Sequence, residues 1–176
     1  MTMMDEVSKK KRLPKKLLFI TGILLLLVAI GLGIFYEFIV SHDPIPKSII
    51  SEVNFTLYYP TALPQSWKLD KSTIYADPSD KVVGYVLRGP NGNLNISIQP
   101  VPSSFDFNSF YTKRLSNTVQ FLTPLGQGAI GEPLGANQLV GSLVTTSSWV
   151  LGSPSSNKVT QSDIQFVLSH LKTASP

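Results

Sequence analysis

The sequence predicts an α+β domain, an antiparallel β-sheet with two amphipathic helices packed on it, carried behind one N-terminal transmembrane helix. Three observations lead there. A long apolar run over residues 17–40 follows a cluster of six basic residues. Short runs bounded by proline and glycine recur between residues 55 and 151, and the clearest of them alternates apolar with polar side chains. Two other stretches, near residues 106–115 and 161–171, repeat apolar residues at helical spacing instead. The resulting order of strands, helix, strands, helix argues for an antiparallel sheet with its helices on one face.

The anchor comes first. Residues 17–40 read LLFITGILLLLVAIGLGIFYEFIV, with Glu37 as the one charge. About 20 apolar residues match the thickness of a bilayer core, and a helix satisfies its own backbone there. Lys9, Lys10, Lys11, Arg12, Lys15 and Lys16 flank one side, which places residues 1–16 as a cytoplasmic tail and the rest of the chain outside. Phe35, Tyr36 and Phe38 suit the outer headgroup region, and Glu37 beside them reaches water there. A cleaved signal peptide has the same charge order but a shorter apolar core ending at a small-x-small site. The exit Phe38-Ile39-Val40-Ser41-His42 fits that poorly. Ala29 and Gly33 have small-xxx-small spacing, which ordinary anchor composition also produces. Residues 1–16 hold six basic and two acidic groups, the whole net charge of +4. The exported part is therefore near neutral, and nucleic acid is excluded as a partner by composition.

Residues 41–52, with Pro44 and Pro46, read as a short stiff connector. The domain is then expected over residues 53–176. It has no cysteine, so packing alone must hold it, and thiol catalysis and thiolate metal sites are excluded. Residues 55–59 predict a first strand stopped by Pro60, and 67–75 a second. Residues 82–88 and 94–99 predict a hairpin: Leu94, Ile96 and Ile98 alternate with Asn95, Ser97 and Gln99, and Asn91-Gly92 suits a tight turn. Phe107, Phe110, Tyr111 and Leu115 form the stripe of a helix over residues 106–115. The glycine-rich passage with Gly126, Gly128, Gly131 and Gly135 predicts a loop. Residues 138–144 and 147–151 predict two more strands. A last helix starts at Thr160, with Asp163 completing a capping box and Ile164, Val167, Leu168 and Leu171 as its buried face.

Catalytic patterns are weak. The two histidines, His42 and His170, are far apart in sequence and lack clustered acids, so they form no metal-ligand set. No G-x-S-x-G accompanies His170 and Asp163. Residues 126–131 have the spacing G-x-G-x-x-G, but Pro124 before and Pro133 after deny it a strand–turn–helix setting. No catalytic, cofactor or metal residues are assigned. Aromatic side chains are the remaining candidates for a ligand or partner surface: Tyr58, Tyr59, Trp67, Phe107, Phe110, Tyr111 and Trp149. Packing claims some of them, since small cores draw on aromatics.

The segment Tyr58-Tyr59-Pro60-Thr61-Ala62-Leu63-Pro64, followed by Trp67-Lys68-Leu69, resembles the "YP-x-x-LP" opening of an uncharacterised bacterial extracytoplasmic domain family. The strand Ser148-Trp149-Val150-Leu151-Gly152 and the helix after it look like that family's closing pattern. The resemblance covers about residues 55–172. It implies a domain behind a single anchor, sometimes in anti-sigma or sporulation-related proteins, and no catalytic residues. Residues 1–16 are too short for a sigma-binding domain. The expectation is thus a single-pass membrane protein with its C-terminal domain outside the cell membrane, acting as a binding or interaction module rather than an enzyme. Its partners are the lipid bilayer and another membrane or cell-envelope protein. The alternatives are a sensor or regulatory subunit pairing through the transmembrane helix and, less supported, an exported hydrolase.

Overall fold

A computed structural model describes Val28 and residues 43–175. The basic tail, the rest of the 17–40 run and residues 41–42 lie outside the described residues. Among the described residues no helix is long and apolar enough to cross a membrane.

Residues from Asp43 onward form one unit, an α+β fold around a seven-stranded antiparallel sheet. The chain runs through helix α1 (Lys47–Glu52) and strands β1 (Tyr58–Pro60), β2 (Lys68–Asp77), β3 (Val82–Gly89) and β4 (Gly92–Pro100). Helix α2 (Phe107–Arg114) follows, then strands β5 (Leu115–Thr123), β6 (Gly126–Pro133), β7 (Val140–Val144) and β8 (Ser148–Pro154). Helix α3 (Gln161–Ser169) and strand β9 (Leu171–Thr173) complete it. The main sheet has the order β2-β3-β4-β8-β7-β6-β5, so two meanders meet where β4 pairs with β8. β1 and β9 make a separate two-stranded ribbon.

The alternation read in residues 94–99 decides which side of the sheet is core. Leu94, Ile96 and Ile98 are buried, and across the ladder they meet Leu87, Tyr85 and Val83 on one side and Pro154, Gly152 and Val150 on the other. Leu143 and Ile130 extend the same face. Helix α3 covers it with Ile164, Val167 and Leu168, all fully buried. Complete burial of one such side chain contributes about 1.5–3 kcal/mol. The fit is close: a Cβ built on Gly141 would come within 2.3 Å of Ile164 Cγ2. The predicted capping box starts α3, with Thr160 Oγ1 accepting from Asp163 N and Asp163 Oδ2 accepting from Thr160 N.

Helix α2 packs on the other face, so the two amphipathic helices do not share one side as their order suggested. Neighbouring strand residues point to opposite faces. Gly141 meets α3, whereas Ser142 bonds the Tyr111 hydroxyl of α2; Ile130 belongs to the main core, whereas Ala129 packs with Tyr111 and Leu115. Asp106 caps α2 by accepting from Ser109 N at 3.0 Å.

Four further expectations are corrected. The glycine-rich passage is strand β6 rather than a loop, paired on both sides by β5 and β7. Its glycines are accommodation for neighbours: a Cβ on Gly128 would strike the Phe121 ring at 2.3 Å. The stretch expected as a connector ends in helix α1, and Ile45 is buried in the core with Ile49 and Ile50 packed on it. The tight turn centres on Pro90-Asn91, because Gly89 pairs with Gly92 and Gly92 alone there takes a positive φ of 141°. The expected first strand shifts to include Pro60, which pairs with Leu171 of β9, a strand absent from the sequence reading.

Candidate functional site

The seven aromatic candidates divide between the two faces of the sheet. Tyr58, Tyr59 and Trp67 belong to the main core or its rim. Tyr58 is buried, and its hydroxyl donates to Thr145 Oγ1 at 3.2 Å while its carbonyl accepts from the Tyr85 hydroxyl at 3.1 Å. Burial pushes the Tyr85 hydroxyl far above the usual phenol range. Tyr59 is half-buried, and burial, aided by the Asp43 carboxylate, pushes its hydroxyl up to about 12. Trp67 lies across Gly89, where a Cβ would meet its indole at 2.3 Å. Tyr58 is thus buried in the core, as Tyr111 is on the other face, which corrects their candidacy as surface residues, whereas Trp67 is half-buried at the rim.

Phe107, Phe110, Tyr111 and Trp149 do come together, on the opposite face. Phe110 lies 5.2 Å from Trp149 and 5.2 Å from Tyr111, both edge to face, and Phe107 lies 3.9 Å from Tyr111. The two pairs made by Phe110 have favoured aromatic geometries. Phe105 completes the group at 4.7 Å from Trp149. Buried Ser142 fixes two of the rings: the Trp149 indole N–H donates to its Oγ at 2.6 Å, and the Tyr111 hydroxyl bonds the same oxygen at 3.0 Å. Burial pushes the Tyr111 hydroxyl up to about 12, partly offset by Ser142. Sequence spacing could find the helix stripe, but Ser142 has no local signature and Phe105 precedes the helix.

The aromatic group walls one side of an uncovered surface. α2 lies over β5 and β6. Beyond it, the same face of β8, β4, β3 and β2 presents the half-buried Trp149 and Leu151, then Gln99, Ser97 and Asn95, then Val86, Gly84 and Arg88. Ring and floor are in register, since Gln99 pairs with Trp149 and Ser97 with Leu151. Tyr75 closes the far side. It pairs with Gly84, its ring occupies the space a Cβ there would need, and it is 54% exposed. Ser97 and Asn95 are short, so the floor lies below the flanking rings. With strands about 4.8 Å apart, two aromatic walls flank a polar floor roughly 10–15 Å wide. At its corner Arg88 Nε donates to Asp70 Oδ2 at 2.7 Å. The Ser72 hydroxyl, then Arg88, hold the Asp70 carboxyl below the usual carboxylate range.

A second depression of about 530 Å³ is lined by Ile50, Val53, Phe55, Lys81 and Ser147 among others. It lies beside α1 and shares none of the aromatic wall. Among the described residues no group of three His, Cys, Asp or Glu side chains is placed to hold a metal. Asp163 is committed to the α3 cap, and His170 at the other end of that helix stacks on Phe166 at 4.2 Å with Nδ1 2.7 Å from the Phe166 carbonyl. That arrangement orients no serine. No protein-family model matches this chain, and comparison with curated proteins and with solved structures returned no match.

Proposed function

We propose that this chain is a membrane-anchored, extracytoplasmic interaction module without catalytic activity, and that it engages a membrane or cell-envelope protein through the open half of its sheet. The observation that carries the reading is the uncovered face bounded by Tyr75 and by Phe105 and Trp149. Its broad polar floor of Ser97, Asn95 and Gln99 between aromatic walls suits a protein surface better than a small molecule, which takes an enclosing, mostly apolar pocket. Aromatic side chains held rigid by Ser142 contribute contact area at little entropic cost. The resemblance of residues 55–172 to a family of anchored extracytoplasmic domains agrees with this reading. An anchor confines the domain to a thin layer and raises its effective concentration for neighbours in the same membrane.

Site-specific photocrosslinking in cells tests it. A photoreactive residue at position 97 of the full chain is expected to capture a discrete protein adduct, and Trp149→Ala is expected to reduce that adduct at least tenfold. No adduct at 97, or the same adducts from position 166 on the opposite side, overturns the reading. The topology is tested alongside: a cysteine at position 91 should react with an impermeant thiol reagent and one at position 10 should not.

A further inference from the structure

The main sheet ends in two edge strands of different character. An edge exposes backbone N–H and C=O groups that template pairing with another strand, and proteins blunt edges with charges, proline or bulges. β2 is blunted. It carries Lys68, Asp70, Lys71 and Asp77, and its register shifts between Asp70 and Tyr75. β5 reads LSNTVQFLT, with neither charge nor proline. Its one irregularity lies between Ser116 and Val119, so Val119 through Thr123 pair with β6 without interruption. Among the described residues nothing pairs with the outer side of this segment.

The side chains that meet solvent along that edge are uncharged, the polar Asn117 and Gln120 beside apolar Val119 and Leu122. Leu122 is 80% exposed and Val119 40%, and Leu134, just past β6, is exposed too. A groove of about 390 Å³ lies at this edge, lined by Phe107, Gln120, Phe121, Leu122, Gln127 and Gly128. Leu122 is thus both a wall of the groove and its most exposed apolar side chain, so a second copy of the edge can bury it there.

We propose that β5 is a homodimerisation edge, pairing antiparallel with β5 of a second copy of this chain, with the two-fold axis at Phe121. The register follows from the regular segment: Phe121 is its midpoint, so pairing about it keeps all five residues in the ladder. Gln120 of each copy then stands opposite Leu122 of the other. Gln120 and Leu122 project to the face that carries α2, opposite Ala129 and Gln127, so each Leu122 meets the groove beside the other copy's Phe107. The absence of charge favours a second copy over a charged partner, because identical strands then face each other without repulsion. The joined sheet continues across the axis, and such an interface is isologous and closes as a dimer. It leaves the open half-face free, since that lies at the β2 end of the sheet.

The chain has no cysteine, so single substitutions give clean thiol crosslinking in the full chain in its membrane. In the proposed register the two Leu122 positions are diagonal neighbours about 8 Å apart. Leu122→Cys with a short bismaleimide is expected to give at least tenfold more crosslinked dimer than Lys71→Cys on the other edge. Adding Val119→Lys, an exposed position, is expected to cut that dimer at least tenfold, and Val119→Thr to leave it unchanged. Equal crosslinking at positions 71 and 122, no dimer at 122, or indifference to Val119→Lys overturns the proposal. A discrete adduct at 122 whose mass differs from twice the chain also overturns it and assigns the edge to another protein.

Discussion

The two faces of the sheet use the same alternating strands for opposite ends. On one face, Leu94, Ile96, Ile98, Val150 and Leu143 are sealed by α3, α1 and the β1–β9 ribbon. On the other, α2 covers the β5–β7 end and packs against Trp149 of β8, and the rest presents Ser97, Gln99 and Asn95 between Tyr75 and Trp149. The difference shows how a small domain without disulfides concentrates its burial on one face and leaves half of the other open. Burial on one face holds the fold, so residues on the other can vary without unfolding it.

The strongest way to break that division is to open the sealed face. Leu168→Ala removes a fully buried side chain between α3 and the sheet and should cost about 2–5 kcal/mol. Chemical denaturation of the domain from Asp43 onward, followed in the full chain, measures it. A cost under 1 kcal/mol would show that α3 is not the lid of the core.

An intermediate effect belongs to Tyr111, the one fully buried ring of the second face. Its hydroxyl is raised from 10.0 to about 12 in the folded state. The neutral form is therefore favoured by folding. Its contribution is present below pH 10 and lost as pH rises through about 12. Two pK units correspond to about 2–3 kcal/mol. Wild type should lose stability over that window, and Tyr111→Phe should lose less while costing about 1 kcal/mol at neutral pH for the bond to Ser142. Parallel slopes for the two proteins between pH 10 and 12 would place the tyrosine elsewhere. The smallest stability effect is expected on the open floor. Ser97→Ala should change stability by no more than about 0.5 kcal/mol while still weakening capture of the partner. A large destabilisation would show that this face, too, holds the fold.

Legibility followed locality. The β3–β4 hairpin, α2 with Asp106 at its start and α3 with its capping box are each specified within about 20 consecutive residues, and all three were readable. β5 and β6 were not. The glycines of β6 signal a loop when read alone, and only pairing with β7 and the Phe121 ring of β5 explain them. Of the aromatic candidates, the four that converge include three on one helix, Phe107, Phe110 and Tyr111. Trp149 joins them across a long stretch of chain by way of Ser142.

By itself the sequence determined the α+β class, the cores of its strongest elements, the near-neutral charge of residues 17–176 and a basic flank beside a long apolar run. Those properties depend on composition and on periods of two and 3.6 residues, which neighbouring residues set. The tertiary structure alone decided that α2 and α3 lie on opposite faces, that Tyr58 is core while Trp149 edges an open surface, and that β2 and β5 are the ends of the sheet. These follow from which strands pair and which side chains meet across distant segments, and no local pattern carries that choice because the contacts that fix it form only when the whole sheet assembles.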